Sequence, residues 1–456
     1  MSEEKVLGYL PDEKPRFIEL ILFALQQIVV MFPATVLVAL ITGFHVSTTI
    51  FASGLATLAF ILVTGRKIPL YYGSSFSYIA AIASIMTADA FKDYPINDKI
   101  SIAQFGIVMS GLVSILAGLL IKKFGNKLIN RLLPATVTGS IAIIIGLSLA
   151  ANALDNADSI PANLGNMSQS AATSFAWIIA IVTLLSTILY SVYLKGKLSQ
   201  LPVLFGLLTG YLTALIIDLA TGIDFVSFST IEAKNIFSLP VFTFPKPTWA
   251  AVFAIMPIAL ATIPESTAHL FQLDIYVNEL ARRKGVDKKY DIENRLGSNL
   301  IGDGLGDIVA GMIGGPAGTN YGENISTMAI TKTFSVSVLI AAAIITMVIS
   351  CFTPLINAVY SIPTPVIGGL SIYLFGVIGA QGIAIMLDKK VDMFSARNLA
   401  VIAVILIIGL GGHFNYEGGM IPMFGVKLPA IATAAIVGIL LNLVLSIGYK
   451  EETEQN

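Results

Sequence analysis

Four carboxylates in this chain stand in apolar surroundings, where an ionised group is expensive. Glu265 lies in the run Ala261-Thr262-Ile263-Pro264-Glu265-Ser266-Thr267-Ala268-His269, with the imidazole four residues on. On a helix that spacing puts both side chains on one face, and Pro264 interrupts the backbone ladder beside them. A buried carboxylate with an imidazole forms either a proton-handling pair or a satisfied structural pair between two helices. Asp303 and Asp307 are also four apart, among glycines that permit close helix packing. They read equally as a proton path or as hydrogen-bonded support for a neighbouring segment. Glu323 follows Tyr321-Gly322 at the opening of a short helix, where free N–H groups and the helix dipole favour an anion. An acid inside a span costs about 2.5–3.5 kcal/mol on insertion scales, so each of the four is a functional candidate by default. Glu19, Asp218 and Asp388 fall at span ends and read as interfacial.

The elements that position these acids are membrane spans. Of 456 residues, 55% are hydrophobic and 12% charged, against about 45–50% and about 25% in soluble domains. The mean hydropathy is +0.83. So little charge leaves too little polar surface for a soluble enzyme, and a net charge of -1 offers no basic excess for nucleic acid. One cysteine, Cys351, excludes an internal disulfide, and three histidines (His45, His269, His413) leave no histidine-built metal cage. Apolar stretches occur near 17–41, 47–64, 101–121, 133–153, 172–194, 201–220, 248–272, 334–358, 363–387, 396–412 and 428–448. Interrupted ones near 68–87, 297–314 and 316–331 bring the expected count to fourteen. No small-residue cleavage site follows the first stretch, so it reads as a span and not a signal peptide. With both termini cytoplasmic, 22 of the 27 basic residues fall on the inside.

The interrupted stretches echo one another. One reads Ile68-Pro69-Leu70-Tyr71-Tyr72-Gly73-Ser74-Ser75-Phe76, the other Gly315-Pro316-Ala317-Gly318-Thr319-Asn320-Tyr321-Gly322-Glu323-Asn324. Each has a proline, an extended run, then Tyr-Gly and polar residues able to open a helix. Slightly more than half the chain separates them, so seven spans plus seven must be inverted relative to one another. Paired broken helices in inverted repeats mark the binding site of many secondary transporters, since non-helical backbone at membrane depth needs protein or a polar cavity around it. The bland alternative is a pair of ordinary kinked helices.

These motifs resemble the nucleobase/ascorbate transporter family, in its bacterial uracil:proton symporter branch, over about residues 15–448. The markers are Gly73-Ser74-Ser75-Phe76, Glu265 with His269, and Tyr321-Gly322-Glu323-Asn324 running to Thr331-Lys332. Ser326 replaces the signature glycine, and Gln26-Gln27 stands where a Gln-His or Gln-Asn pair is usual. The resemblance implies an all-α polytopic membrane protein. Its fourteen segments form a 7+7 inverted repeat, with segments 3 and 10 each a short strand plus half-helix. It implies a core domain (1–124 and 246–358) and a gate domain (125–245 and 359–456). It further implies a uracil site in which Glu265 and Glu323 accept from ring N–H groups. The amides of Phe76 and Gly322 would meet the carbonyls, His269 and Tyr321 would assist, and Ala34 and Phe375 would line the ring. Glu265, His269 and Asp303 would handle the coupling proton.

The chemistry stands without the family: uracil is planar and uncharged, with two N–H donors for two carboxylates and two carbonyls for helix N–H groups. The xanthine branch usually carries glutamine at position 323, so the acid favours uracil. A xanthine or other purine carrier is the closest rival, and an anion exchanger of the same repeat is more distant, since two glutamates would face an anion. No HExxH, GxGxxG, Gly-x-Ser-x-Gly or phosphate loop supports an enzyme. No cofactor is expected beyond a coupling ion, H+ or in its place Na+. The expected partners are uracil, the bilayer of the plasma membrane and, through the gate domain, a second copy. The basic loop Arg282–Arg295 reads as a topology determinant or as an anionic-lipid site.

Overall fold

A computed structural model describes residues 8–125, 133–196, 198, 201–227, 235–423 and 426–447. Lys5, Lys127, Arg131, Lys197, Lys234 and Lys450, used in the charge count, lie outside the described residues.

The chain starts with α1 (Phe17–Thr42), α2 (Val46–Val63), the short strand β1 (Tyr72–Ser74), a 3-10 turn (Phe76–Tyr78), α3 (Ile79–Met86) and α4 (Ile96–Phe124). There follow α5 (Ala135–Ser148), α6 (Ala150–Ala157), α7 (Gln169–Tyr193) and α8 (Pro202–Thr221). The second half begins with α9 (Trp249–Ile255), a 3-10 turn (Met256–Ile258), α10 (Ala259–Arg283), α11 (Leu296–Ile313), β2 (Gly318–Asn320) and α12 (Gly322–Thr331). It continues with α13 (Val336–Ile349), α14 (Thr353–Tyr360), α15 (Thr364–Asp388), α16 (Ala396–Leu406) and α17 (Gly412–Asn415). A hairpin of β3 (Met420–Met423) and β4 (Val426–Pro429) leads into α18 (Ala430–Leu445).

Each of the fourteen expected stretches contains a helix. Among the described residues, nine helical stretches are long and apolar enough to cross a bilayer, and three shorter ones are apolar. The remaining two, α11 and α12, are the glycine-rich and half-helical segments beside the strands. Several expected single spans are broken. The eighth is split at Met256–Ile258, and its helix runs on to Arg283. The eleventh divides into α13 and α14, and the thirteenth passes through a π-helical turn at Ile407–Gly411. The β3–β4 hairpin was not foreseen by the all-α reading. Hydropathy reports length in an apolar medium, and none of these local breaks changes it.

Packing follows small residues. α11 lies against α4 and α2, α13 against α2 and α1, and α9 against α4. In another set, α15 lies against α5, α6 and α7, α7 against α8, and α16 against α18 and α5. Between α4 and α11, glycines recur every seven residues. A Cβ on Gly118 would come 2.6 Å from the Gly297 oxygen, and one on Gly304 would collide with the Gly111 oxygen. The α5–α15 contact repeats the device, since a Cβ on Gly139 would come 2.6 Å from the Gly382 oxygen. Outward faces stay apolar: Leu212, Ile216 and Leu219 of α8 are exposed, as a lipid-facing surface requires.

Candidate functional site

β1 and β2 form a two-stranded antiparallel pair, Tyr72 opposite Asn320, Gly73 opposite Thr319 and Ser74 opposite Gly318. Two further bonds flank it, Ser75 N to Ala317 O at 3.0 Å and Tyr321 N to Tyr71 O at 3.0 Å. Backbone this deep must find partners. Ser53 and Thr57, one turn apart on α2, both donate to Tyr72 O (2.8 and 3.0 Å), and Tyr72 N donates to Thr57 Oγ1 at 3.0 Å. Each strand then turns into a helix start, Phe76 after Ser75 and Gly322 after Tyr321. The first amides of these turns have no acceptor in their own helix, so they can receive a ligand's oxygens.

A polar lattice on α11 holds the strand pair from behind. Asp307 accepts from Tyr72 Oη at 2.5 Å and from Gly318 N at 2.8 Å, one residue from each strand. Asp303 accepts from Ser266 Oγ and from Asn320 Nδ2, the latter at 2.7 Å. Asn299 Nδ2 donates to Ser266 Oγ at 2.6 Å. Asn299, Asp303 and Asp307 thus form a four-residue-spaced stripe that ties α10 to β2. Both acids are buried, at 7% and 2% exposure. Both acids accept hydrogen bonds from the broken segments, Asp307 from both and Asp303 from the second. Behind the strands lies a cavity of about 10 Å³, lined by Ser114, Thr262, Ser266, Asp303, Asp307 and Thr319 among others. It has room for about one water, and the buried Thr319 Oγ1 lacks a partner there.

Glu265 is half-buried, with Ser77 Oγ 3.5 Å from its Oε2. His269 lies against the start of α12, where a Cβ on Gly322 would come 2.8 Å from its Nε2. Phe76, Ala34 and Gly322 are half-buried too. Glu323, expected to be internal, is exposed. It is the second residue of α12 and stands in that helix's first turn. Glu265 and Glu323 stand on helices that pack together, α10 and α12.

Two residues stand differently from the other ligand-facing candidates. Tyr321 is buried, its hydroxyl donating to Ser74 O at 2.9 Å and paired with Thr35 Oγ1 at 3.0 Å. Its ring covers Gly73, where a Cβ would come 2.5 Å from the ring carbons. Phe375 is 2% exposed within α15, and its carbonyl lies against Gly146 of α5.

Sequence reading passed over Ser77, Thr35, Asn299, Ser53 and Thr57. The Asn299-Asp303-Asp307 stripe and the Ser53-Thr57 pair carry a signal, polar residues at helical spacing within apolar spans; Ser77 and Thr35 carry none. Gln27, noted only as a departure from a motif, accepts from Asn324 Nδ2 at its side-chain oxygen (2.7 Å) and its carbonyl (3.0 Å). Ser326 is accommodated within a continuous α12. The basic loop is largely neutralised: Arg282 and Arg283 pair with Glu279, Lys284 with Glu13, Lys288 with Asp12 and Lys289 with Glu293.

Residues 18–418 match the family described as the Permease family. The chain is 36% identical over 441 residues to the uracil permease of Bacillus caldolyticus, covering 95% of this chain and 94% of that one. Among solved structures, the transmembrane domain of the cyanobacterial bicarbonate transporter BicA superposes with a TM-score of 0.57 at 14% identity, covering 96% of this chain and all of that domain. SLC26A9 superposes with a TM-score of 0.60 at 13% identity, and this chain spans 66% of its length. At such identities the structural likeness speaks for the fold alone.

Proposed function

The chain belongs to the nucleobase/ascorbate transporter family of permeases, and from that premise we propose that it imports uracil by proton symport. The observation that carries this reading is the meeting of α10 and α12, which bear Glu265 and Glu323, beside two helix starts joined by the β1–β2 pair. Two carboxylates match the two ring N–H groups, and the first amides of the half-helices match the two carbonyls. Phe76 and Ala34 border the planar ring, with Phe375 behind in the α15 packing. Tyr321 acts by holding the strand, while His269 fixes the start of α12 against α10.

No bond is made or broken in this reading, so the protein is a carrier and not an enzyme. A proton on Glu265, with His269 and Asp303 beside it, lets the loaded site close without an uncompensated buried charge. The core set of helices then moves against the other set and exposes the site alternately. Both termini lie in the cytoplasm of a plasma-membrane protein, and two copies pair through the gate helices.

The test is radiolabelled uracil uptake into proteoliposomes under an inward proton gradient, with excess unlabelled uracil or xanthine. The expected result is gradient-dependent uptake, abolished by a protonophore, blocked by uracil and spared by xanthine. Block by xanthine alone, or uptake driven only by sodium, overturns the substrate or the ion respectively.

A further inference from the structure

Residues 8–11 run beside 332–336, the chain leaving α12, through a parallel bridge of Tyr9 with Thr333, and then turn at Pro11 and Asp12. Tyr9 N donates to Lys332 O at 2.8 Å, Phe334 N to Tyr9 O at 2.7 Å and Val336 N to Pro11 O at 3.1 Å. Ser335 Oγ adds a bond to Glu13 O at 2.6 Å. The approach is close: a Cβ on Gly8 would come 2.7 Å from the Lys332 oxygen. The other flank is clamped to the turn after α10. Lys284 Nζ, 19% exposed, donates to Gly8 O at 3.0 Å and to both Glu13 carboxylate oxygens at 2.7 and 2.6 Å. Lys288 Nζ and Tyr290 Oη both reach Asp12 at 2.5 Å. That turn is fixed to α10, since Tyr290 N donates to Asn278 Oδ1 (3.0 Å) and Ile292 N to Asp274 Oδ1 (2.8 Å).

The segment therefore ties the far end of α10, the helix of Glu265, to the far end of α12, the helix of Glu323. We propose that Lys284 and Glu13 are positioning residues, whose clamp on this strap fixes α12 lengthwise against α10 and so sets where Glu323 stands relative to Glu265. A ten-residue helix is about 15 Å long and stiff, so a slip at Lys332 is transmitted to Gly322. The proposal rests on the site described above and on no particular ligand.

The test uses hydrogen exchange of the purified full-length protein, without substrate, at the hydrogen-bonded amides of 333–336 (Thr333, Phe334, Val336) and of 321–325 (Tyr321, Ile325). Lys284→Glu and Glu13→Lys, each alone, are expected to raise exchange at least fivefold in both stretches, and the double charge swap to restore most of the protection. Glu13→Gln, which loosens the clamp without opposing like charges, is read in the same way should a reversal prevent folding. Faster exchange at 333–336 with 321–325 unchanged overturns the proposal, as does failure of the swap to restore protection. Because no uracil is used, this result is independent of whether the substrate is correct.

Discussion

Tyr321 shows how the site divides holding from binding. Its hydroxyl is fully engaged by Thr35 and the Ser74 carbonyl, so its removal should act on the strand and not on the ligand. Tyr321→Phe leaves the buried Ser74 oxygen short of a donor and is expected to destabilise by about 1–3 kcal/mol, read as a lower melting temperature with little change in uracil affinity. A tenfold loss of affinity at an unchanged melting temperature would contradict that role. Glu323 behaves the opposite way. It is exposed and accepts no hydrogen bond from another side chain among the described residues, so Glu323→Gln should fold normally. It should weaken uracil at least tenfold, the size of about 1.5–3 kcal/mol for a hydrogen bond to a charged group, in equilibrium binding. Unchanged binding would remove it from the site.

At the scale of elements, the glycine ladders are the most exacting feature. Gly304 faces the Gly111 backbone, and a side chain there cannot be absorbed by a flexible neighbour. Gly304→Val is expected to lose folded protein altogether, measured as monodisperse yield, while Gly376→Val, with open space around it, should be tolerated. The strap offers a pH test outside the membrane. Burial alone would raise the Asp12 pKa, yet hydrogen bonds from Lys288 and Tyr290 outweigh it and hold the carboxyl below its ordinary 3.8. A depressed carboxylate gives stability that is present above its unfolded pKa and lost as pH falls through the folded one. Amide protection at Phe334 and Val336 should therefore persist through mild acid and fail only below about pH 4; failure near pH 6 would contradict the assignment. The broken segments were legible because Pro, Gly and Tyr recur at matched places in both halves, and the stretches at 68–87 and 316–331 became strand plus half-helix. The splits at Met256–Ile258 and at the π turn of Ile407–Gly411 were not, since apolar residues continue through them. Glu265 was legible from its cost in an apolar run. The exposure of Glu323 is a feature of the folded packing, which local spacing does not encode.

For the whole molecule, the seam between the two helix sets decides whether the site can open alternately. Leu37 of α1 packs with Ile367 and Leu370 of α15, and Phe76 of the first half-helix joins them. A short thiol crosslinker between Leu37→Cys and Leu370→Cys, in a Cys351→Ser background, is expected to stop uptake while leaving uracil binding within twofold. Undiminished uptake after full crosslinking would show that these sets do not move apart here. The central claim is that two carboxylates on opposite half-sites together hold an uncharged nucleobase. Calorimetric titration of uracil into the wild type, Glu265→Gln and Glu323→Gln, each checked for an unchanged melting temperature, tests it most directly. The account predicts saturable binding to the wild type and a loss of at least tenfold in each variant. Binding unchanged in both folded variants would contradict it.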